Sequence, residues 1–482
     1  MSDLKPKDIF TQYKSKELNH TSAINYLKTY IEDSEDVKLR VESIEFLGEI
    51  MPKTKEVYKI LENLLTSDLD DDIRNHAAKI IIRDYLEVGL KLIKWVLKYE
   101  TSLNCLFNII DFLKEDNQNF VFSNIKKLLE KILSNKDANV DKYYIYHLKD
   151  LFMKRPIESL SHDELIEIFF NYKMVMNLEL KYNVYNNYSY QLQNGYVIEL
   201  KIFGLEIDKI SEIDGIEKLL KLKRLNLWGN HIKEINALDH LINLNLLEFA
   251  NFNFQEGNEI SKIKGIDSLK KLEILNLSYN SIFKIENLAN LANLNVLYLS
   301  HNKIKVIGGL EYLKNLEILD LGHNQISEIK GFENLTKLNS LYLSENKITE
   351  VKNLENLTNL EILDLNHNYI SEIAGLENFK KLKRLNLSHN NISEIKFLDN
   401  LTSLTHLDLS SNNISELKNL RNLTNLKTLN MRNNQIIKLD GIEDLKNLRL
   451  FEIDGNQILD FKILDNLPKL SMPKSKQNEL KK

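Results

Sequence analysis

A 22-residue motif, L-x-x-L-x-L-x-x-N-x-I-x-x-I-x-x-L-x-x-L-x-x, recurs twelve times between residues 200 and 469 of this 482-residue chain. Successive copies begin 22 residues apart, except after one copy of 28 residues. A single copy cannot bury its own apolar edge, but stacked copies share one continuous core. The repeat therefore predicts an elongated array with a long curved surface, and such surfaces bind other macromolecules. The copies open at Leu200, Leu222, Leu244, Leu272, Leu294, Leu316, Leu338, Leu360, Leu382, Leu404, Leu426 and Leu448.

The geometry of one copy follows from its letters, counted from the opening leucine as position one. Positions four to six, for example Leu319-Asp320-Leu321, alternate apolar and polar residues and predict a short strand with its leucines inward. Twelve such strands would form a parallel inner sheet, and the remaining apolar residues at steps of three predict short 3₁₀ or helical turns on the outer face. The asparagine at position nine is expected to bond the backbone of the bend after each strand. These asparagines are Asn230, Asn280, Asn302, Asn324, Asn346, Asn368, Asn390, Asn412, Asn434 and Asn456.

The first 172 residues follow the period of helices and predict an all-helical region of roughly ten helices. Arg40 and Arg74 lie 34 residues apart in similar surroundings, a spacing that fits one antiparallel helix pair per repeat. The segment Asp72-Ile73-Arg74, followed by Ala77, resembles HEAT repeats. Near Asn108, the next expected step, the arginine is missing, so a plain helical bundle is the alternative.

A tyrosine-rich strip joins the two regions. Asn194-Gly195 stands between two alternating segments, which predicts a β-hairpin whose second strand runs into the first copy and covers the end of the core. We favour this capping role over a binding role. The expected organisation is a helical HEAT-like domain at 1–172, a linker and capping hairpin at 173–199, a twelve-copy repeat domain at 200–470 and a polar tail at 471–482.

Composition narrows the classes of function. With 64 Lys+Arg against 69 Asp+Glu, the chain lacks the basic excess that nucleic-acid binding demands. No apolar run approaches the roughly 18 residues of a membrane span, and the N-terminus has no export pattern, so we expect a cytoplasmic protein that does not bind membranes. The single cysteine, Cys105, lies in an apolar helical run and is expected to be buried.

Motifs of catalysis are missing from the sequence. It has no phosphate-binding glycine loop with a lysine, no H-E-x-x-H and no G-x-S-x-G. We therefore predict that the protein is not an enzyme, requires no cofactor and is monomeric on its own.

Copies such as Leu360-Glu-Ile-Leu-Asp-Leu-Asn-His-Asn resemble the leucine-rich-repeat class typified by the regulatory subunit of protein phosphatase 1, over residues 200–470. The resemblance implies an α+β repeat protein, in which an N-terminal α-helical, HEAT-like solenoid precedes a leucine-rich-repeat horseshoe with a parallel inner sheet. It also implies a non-catalytic adaptor that binds partner proteins on the concave face. The alternatives are a regulatory subunit of an enzyme such as a protein phosphatase or small GTPase, and an extracellular adhesion protein, which the missing export signal disfavours.

Residues at positions three, five, seven and eight are expected to face the concavity. Departures from the consensus there are the most informative, since Trp and Tyr carry a large share of interface energy. Trp228 stands at position seven, with packing against its own strands as the alternative, and Tyr298 and Tyr342 interrupt an otherwise acidic or amide position five. The candidate partner-binding residues are Trp228, Tyr279, Tyr298, Tyr342, Asp320, Asp364, Arg384, His406, Phe252 and Phe254.

The third copy carries the insertion. Taking Asn258 as its position nine and Ile260 as position eleven places six extra residues within 249–257. Phe252 and Phe254 in this segment either form a binding rim or fold over the adjacent core.

Histidines recur at position eight. Because adjacent strands lie about 4.8 Å apart, His301 with His323, and His367 with His389, could approach one metal ion or form acid-sensitive pairs. A third protein ligand is not evident and the histidines also fit the repeat consensus, so no metal site is predicted.

Overall fold

The computed structural model describes residues 4–50, 53–100, 102–113, 118–134, 142–182, 187–251 and 257–471. The chain divides into two compact units, Met1–Met176 and Asn177–Lys482. The first unit is helical, and the second contains a thirteen-stranded sheet. The predicted order, a helical region followed by a parallel-strand solenoid, is confirmed.

Nine α-helices lie within the described ranges. The last of them continues past residue 172, so 173–182 is helical and the prediction of a linker there is wrong. Within the described part of the chain, no helix is both long and apolar enough to cross a membrane. The helices are α1 Pro6–Lys14, α2 His20–Asp33, α3 Val37–Ile50, α4 Lys55–Ser67, α5 Asp71–Tyr99, α6 Leu103–Leu113, α7 Gln118–Ser134, α8 Lys142–Lys154 and α9 His162–Tyr182.

Local signals explain the helices. In α4, Val57, Leu61 and Leu65 are buried at steps of four and form a single apolar face. The Thr54 side chain caps α4 by accepting from the Val57 N–H, and Asp70 caps α5 in the same manner.

The two arginines of the predicted helical repeat make comparable contacts. Arg40 in α3 donates from Nε to the Ile31 carbonyl at 3.0 Å and forms an ion pair with Asp68. Arg74 in α5 donates to the Asp68 carbonyl at 2.8 Å and pairs with Glu100 at 2.9 Å. Each arginine thus joins the end of the preceding helix to an acidic residue 28 or 26 positions later. The HEAT-like character stays a prediction that these contacts support.

Cys105 in α6 is buried as a free thiol, as predicted. Burial raises the pKa of Cys105 to about 12, with the Glu100 carboxylate acting in the same direction. The group is therefore a neutral apolar packing element near pH 7.

The predicted hairpin is confirmed. Strands β1 and β2 are antiparallel, and Asn194 and Gly195 between them take left-handed φ values of 53° and 82°. From β2 onward, each strand pairs in parallel with the next along the chain. The strands are β1 Tyr188–Gln193, β2 Tyr196–Ile202, β3 Arg224–Asn226, β4 Leu246–Glu248, β5 Ile274–Asn276, β6 Val296–Tyr298, β7 Ile318–Asp320, β8 Ser340–Tyr342, β9 Ile362–Asp364, β10 Arg384–Asn386, β11 His406–Asp408, β12 Thr428–Asn430 and β13 Leu450–Glu452.

Two details of register differ from the predictions. Leu200 pairs with Leu225, which is position four of its copy, so the first copy begins at Val197 rather than at Leu200. The strands occupy positions three to five rather than four to six, as β7 shows. They end one residue earlier because the chain begins to bend after position five, in copies with and without a side-chain bond from that residue.

The asparagine ladder is confirmed. The Nδ2 of Asn368 donates to the carbonyls of Leu343, Leu365 and Asn366 at 3.0–3.2 Å, and its Oδ1 accepts from the Ile348 N–H at 3.0 Å. Each asparagine therefore satisfies buried backbone groups of its own copy and of the copy before it.

Asn258 makes the corresponding bonds in the third copy, to the carbonyls of Leu227 and Phe249 and from the N–H of Ile232. Its placement at position nine is confirmed, and the insertion precedes it. Phe252 and Phe254 lie outside the described residues.

The outer face consists of tight turns, as predicted. Leu291 and Leu294 donate their N–H groups to carbonyls three residues earlier, both at 3.0 Å, and the same pattern recurs in the later copies. In the described part of the second unit, three segments are 3₁₀ helices: Ile210–Glu212, Ile216–Lys218 and Lys462–Asn466.

Candidate functional site

One face of the sheet carries the candidate residues. In β7, Leu319 at position four is buried, whereas Ile318 and Asp320 at positions three and five point to the other side and are partly exposed. The same alternation recurs along the sheet. We call this surface the open face; it is the surface for which the repeat pattern predicts concavity.

In most copies, the side chain at position five stabilises the bend that follows the strand. An Asn or Asp Oδ1 there accepts the N–H of the residue at position seven, as Asp320 does from Gly322 at 2.9 Å and Asn276 does from Ser278 at 3.1 Å. Because both side chains make this bond, it needs an oxygen at position five but not a negative charge. The residues that make it are Asn226, Asn276, Asp320, Asp364, Asn386, Asp408 and Asn430.

Tyr298 and Tyr342 break this rule. The N–H groups of Ser300 and Ser344, at the corresponding positions seven, are not among those that a side-chain oxygen accepts within the described ranges. Both tyrosines are partly buried on the open face, and burial raises the pKa of the Tyr298 hydroxyl. A tyrosine at position five thus removes a bond that favours the fold, which points to another use for these side chains.

The tyrosines alternate with carboxylates in direct register. Tyr298 pairs with Asp320, Asp320 with Tyr342, and Tyr342 with Asp364 across β6 to β9. We call these four residues the Tyr–Asp strip. The structure therefore brings four of the predicted candidates together.

The strip repeats every second copy. The copies that open at Leu316 and Leu360 have the same residues at positions two, three, five and eight, namely Glu, Ile, Asp and His. The copies that open at Leu294 and Leu338 share Asn at position two, Tyr at position five and Ser at position seven. Reading the sequence in 22-residue steps misses this 44-residue period, and also misses Glu317 and Glu361 at position two.

The open face around the strip is acidic and partly apolar. Positions two, three, five, seven and eight of the five copies from Leu272 to the copy of Leu360 include no Lys or Arg. Among the described residues, no Lys or Arg forms an ion pair with Asp320 or Asp364. Burial raises the pKa of both carboxyls, and His323 acts in the opposite direction on Asp320. Carboxylates and partly exposed aliphatic side chains at these positions are Glu273, Glu317, Asp320, Glu345, Glu361, Asp364, Ile274, Val296, Ile318 and Ile362.

The other candidates lie apart from the strip. Trp228 follows β3, three strands before β6, and is partly buried, with its N–H bonded to Asn226 Oδ1 at 3.2 Å. Arg384 and His406 are cross-strand neighbours on β10 and β11. Burial, then Arg384, lowers the pKa of His406.

The histidines at position eight stack rather than converge. The ring of His301 lies 3.9 Å from Tyr279 on one side and 3.8 Å from His323 on the other, with interplanar angles of 10° and 15°. His367 and His389 stack likewise at 3.9 Å. Face-to-face rings direct their in-plane nitrogens side by side and not toward one ion.

The backbone explains why histidine recurs there. Position eight takes left-handed φ values, 54° at His301 and 53° at Asn433, and His, Asn and Gly tolerate this conformation better than most residues. No three His, Cys, Asp or Glu of the described residues are arranged to hold a metal ion.

The stack predicts a pH effect on stability. Burial, then the neighbouring His323, lowers the pKa of His301 to about 4, from about 6.5 in an unfolded chain. As the pH falls from about 6.5 toward 4, His301 binds a proton in the unfolded state but not in the folded state, so the stability of the folded state decreases. We expect His301→Asn, which suits the left-handed backbone, to lose less melting temperature between pH 7 and pH 5 than the wild type. Equal losses in the two proteins would refute this role for His301.

Comparison with protein families matches the same region. A model described as Leucine Rich repeats (2 copies) matches residues 292–334, 336–378 and 380–422, and a Leucine Rich repeat model matches 422–446. Residues 292–446 contain leucine-rich repeats. These repeats span the Tyr–Asp strip.

Solved leucine-rich-repeat structures are similar to part of the chain. An internalin from Listeria monocytogenes is 28% identical, with 58% of this chain and 90% of that chain covered and a TM-score of 0.47. A leucine-rich-repeat protein from Leptospira interrogans is 28% identical, with 54% and 74% covered and a TM-score of 0.48. The functional domain of InlJ from Listeria monocytogenes is 25% identical, with 57% of each chain covered and a TM-score of 0.48. Among curated proteins, none matches this chain significantly.

Proposed function

We propose that this protein is a non-catalytic adaptor whose leucine-rich repeats bind a partner protein on the open face, with the Tyr–Asp strip at the centre of the interface. Leucine-rich repeats are a common protein-interaction scaffold, and the side chains of the Tyr–Asp strip are partly exposed on the open face. The narrower alternative, a regulatory subunit of a phosphatase or small GTPase, is a special case of this proposal.

The observation that carries the proposal is the residue choice at position five. Seven copies use Asn or Asp to bond the N–H of position seven, whereas Tyr298 and Tyr342 give up this bond. Partly buried tyrosines offer large, rigid contact areas, and such residues dominate the energetics of protein interfaces. Their presence is therefore explained by binding better than by folding.

The test exchanges both tyrosines for the residue that the repeat prefers. In Tyr298→Asn/Tyr342→Asn, the new amide oxygens can accept the N–H groups of Ser300 and Ser344, so the melting temperature should be unchanged or higher. Capture of the partner should weaken, since a hot-spot residue contributes about 2 kcal/mol or more. Full-length protein serves as bait in a lysate of its own source, and captured proteins are quantified by mass spectrometry.

Tyr312→Asn is the matched control, because Tyr312 is 62% exposed and lies in a turn outside the strands. It should capture the same proteins as the wild type. If the double variant also captures them undiminished, the Tyr–Asp strip is not the binding surface.

Trp228, Tyr279, Arg384 and His406 are proposed as secondary contacts on the same face. As part of the same proposal we place the interaction in the cytoplasm, which is supported by the buried free thiol of Cys105.

A further inference from the structure

We propose that the Tyr–Asp strip recognises a proline-rich, cationic protein segment in the polyproline II conformation, with Lys or Arg at every third residue. The inference rests on the proposed function and specifies the chemistry of the partner. It arises from the 44-residue period of the open face, which repeats one set of side chains on alternate strands.

The spacing of the strip selects the conformation. Neighbouring strands lie about 4.8 Å apart, so Tyr298 and Tyr342, like Asp320 and Asp364, are separated by about 9.6 Å. A polyproline II helix has three residues per turn and rises about 9.3 Å per turn, so every third side chain faces the same way at nearly this interval. In an extended β-strand, side chains on one face repeat at about 6.6 Å, which fits neither the tyrosines nor the carboxylates.

The side chains of the strip select the chemistry. Aromatic residues line the grooves in which proline-rich segments bind, and the two tyrosines are placed one ligand turn apart. Each is followed on the next strand by an aspartate, and Glu317 and Glu361 come directly before these two strands, at position two. Glu361 is paired with Lys383 of the following copy at 2.8 Å, so the two aspartates are the carboxylates left to a ligand on both turns. A basic side chain on every turn would meet one of these two aspartates.

Charge complementarity supports a cationic segment. The five copies around the strip present carboxylates and no Lys or Arg on the open face, and neither Asp320 nor Asp364 is ion-paired with a Lys or Arg of the described residues. Because the bond to position seven needs only an oxygen, as Asn276 and Asn386 show, these two charges are not a requirement of the repeat. Arginine suits the site best, since a guanidinium both pairs with carboxylates and stacks on aromatic rings.

The length of the segment is also set. The acidic stretch begins in the copy of Leu272 and ends at Lys383 and Arg384 in the copy of Leu382. Its five strands span about 19 Å, which corresponds to about six residues of polyproline II. The open face would therefore contact two or three basic residues of the bound segment.

The test uses a fluorescein-labelled peptide, Pro-Pro-Arg repeated three times, and fluorescence anisotropy with the full-length protein. We expect saturable binding that is at least tenfold weaker for Asp320→Asn/Asp364→Asn, a pair of substitutions that keeps both position-seven bonds. Asp408→Asn is the matched control: it makes the same exchange at position five of a copy outside the strip, and should leave binding unchanged.

Three outcomes would overturn the inference. Equal binding of a peptide with the same composition but three contiguous arginines would show that the spacing of the basic residues does not determine binding. Tighter binding of a helical peptide with arginine at every seventh residue would assign a helix to the site. If no peptide binds while partner capture still depends on Tyr298 and Tyr342, the inference fails and the proposed function stands.

Discussion

Asn368→Leu should destabilise the repeat unit by about 2 to 4 kcal/mol, because it removes four hydrogen bonds at once, three of them buried. The carbonyls of Leu343, Leu365 and Asn366 each keep one other donor, from Asn346, Asn390 and the Glu345 N–H. The Ile348 N–H loses its side-chain acceptor, and an unsatisfied buried group costs about 1–3 kcal/mol. The rest of the loss comes from the weakened carbonyls and the misfit of a branched apolar side chain.

Urea denaturation followed by tryptophan fluorescence measures this effect. The chain has two tryptophans, and Trp95 is half-exposed in the helical unit, so a Trp95→Phe background leaves Trp228 as the reporter of the repeat unit. Asn391→Leu is the control, because Asn391 is an exposed asparagine of the same array, and it should change stability by less than about 0.5 kcal/mol. An unchanged transition in Asn368→Leu would refute the role of the ladder.

Arg74→Ala should destabilise the helical unit by about 3–5 kcal/mol, since it leaves a buried charge without its partner. The side chains of Arg74 and Glu100 are only 12% and 8% exposed, and they pair at 2.9 Å. Arg74 Nη1 also donates to the carbonyls of Asp68 and Leu69 at 2.8 and 3.0 Å. Removing the guanidinium therefore leaves the Glu100 carboxylate without its ion-pair partner. It also leaves the carbonyls of Asp68 and Leu69, which follow α4, without this donor.

Circular dichroism at 222 nm reports this unit, because the long helices lie there and the repeat unit consists of short strands and turns. The helical transition should shift in Arg74→Ala while the Trp228 transition of the Trp95→Phe background does not. Arg83→Ala is the control: its pair with Asp84 is 53% exposed at the arginine, and such pairs contribute about 1 kcal/mol at most. Equal losses in the two alanine variants would mean that burial of the Arg74 pair is not what matters.

The sequence predicts most of the repeat unit because each copy repeats one physical requirement. The asparagine ladder, the hairpin at Asn194-Gly195 and the position of Asn258 are all confirmed, since each rests on a residue type with few conformational uses. The first copy was misplaced by three residues because Val197 and Leu200 both fit an apolar position, and the copy has no asparagine to fix its register. The helix end was misplaced because tyrosine richness concealed the apolar helical run through Met174, Val175 and Met176.

The candidate site was only partly predictable. Tyr298 and Tyr342 stand out from a 22-residue consensus. A single consensus for all copies does not show that Glu317 and Glu361 alternate with asparagine at position two. The stacking of the histidines depends on side-chain rotamers, which spacing does not determine. Spacing alone therefore predicts proximity at position eight, but not the ring geometry that argues against a shared metal ion.

The equivalence of Asn and Asp at position five has a consequence for how such a surface can change over time. The codons of these two residues differ by a single base, and the exchange leaves the bond to the N–H of position seven intact. The charge pattern of the open face can therefore change by one substitution on one strand at a time, and each intermediate sequence still folds. A duplicated pair of copies would inherit such a pattern together with its spacing, so new ligand preferences can appear without any change to the core.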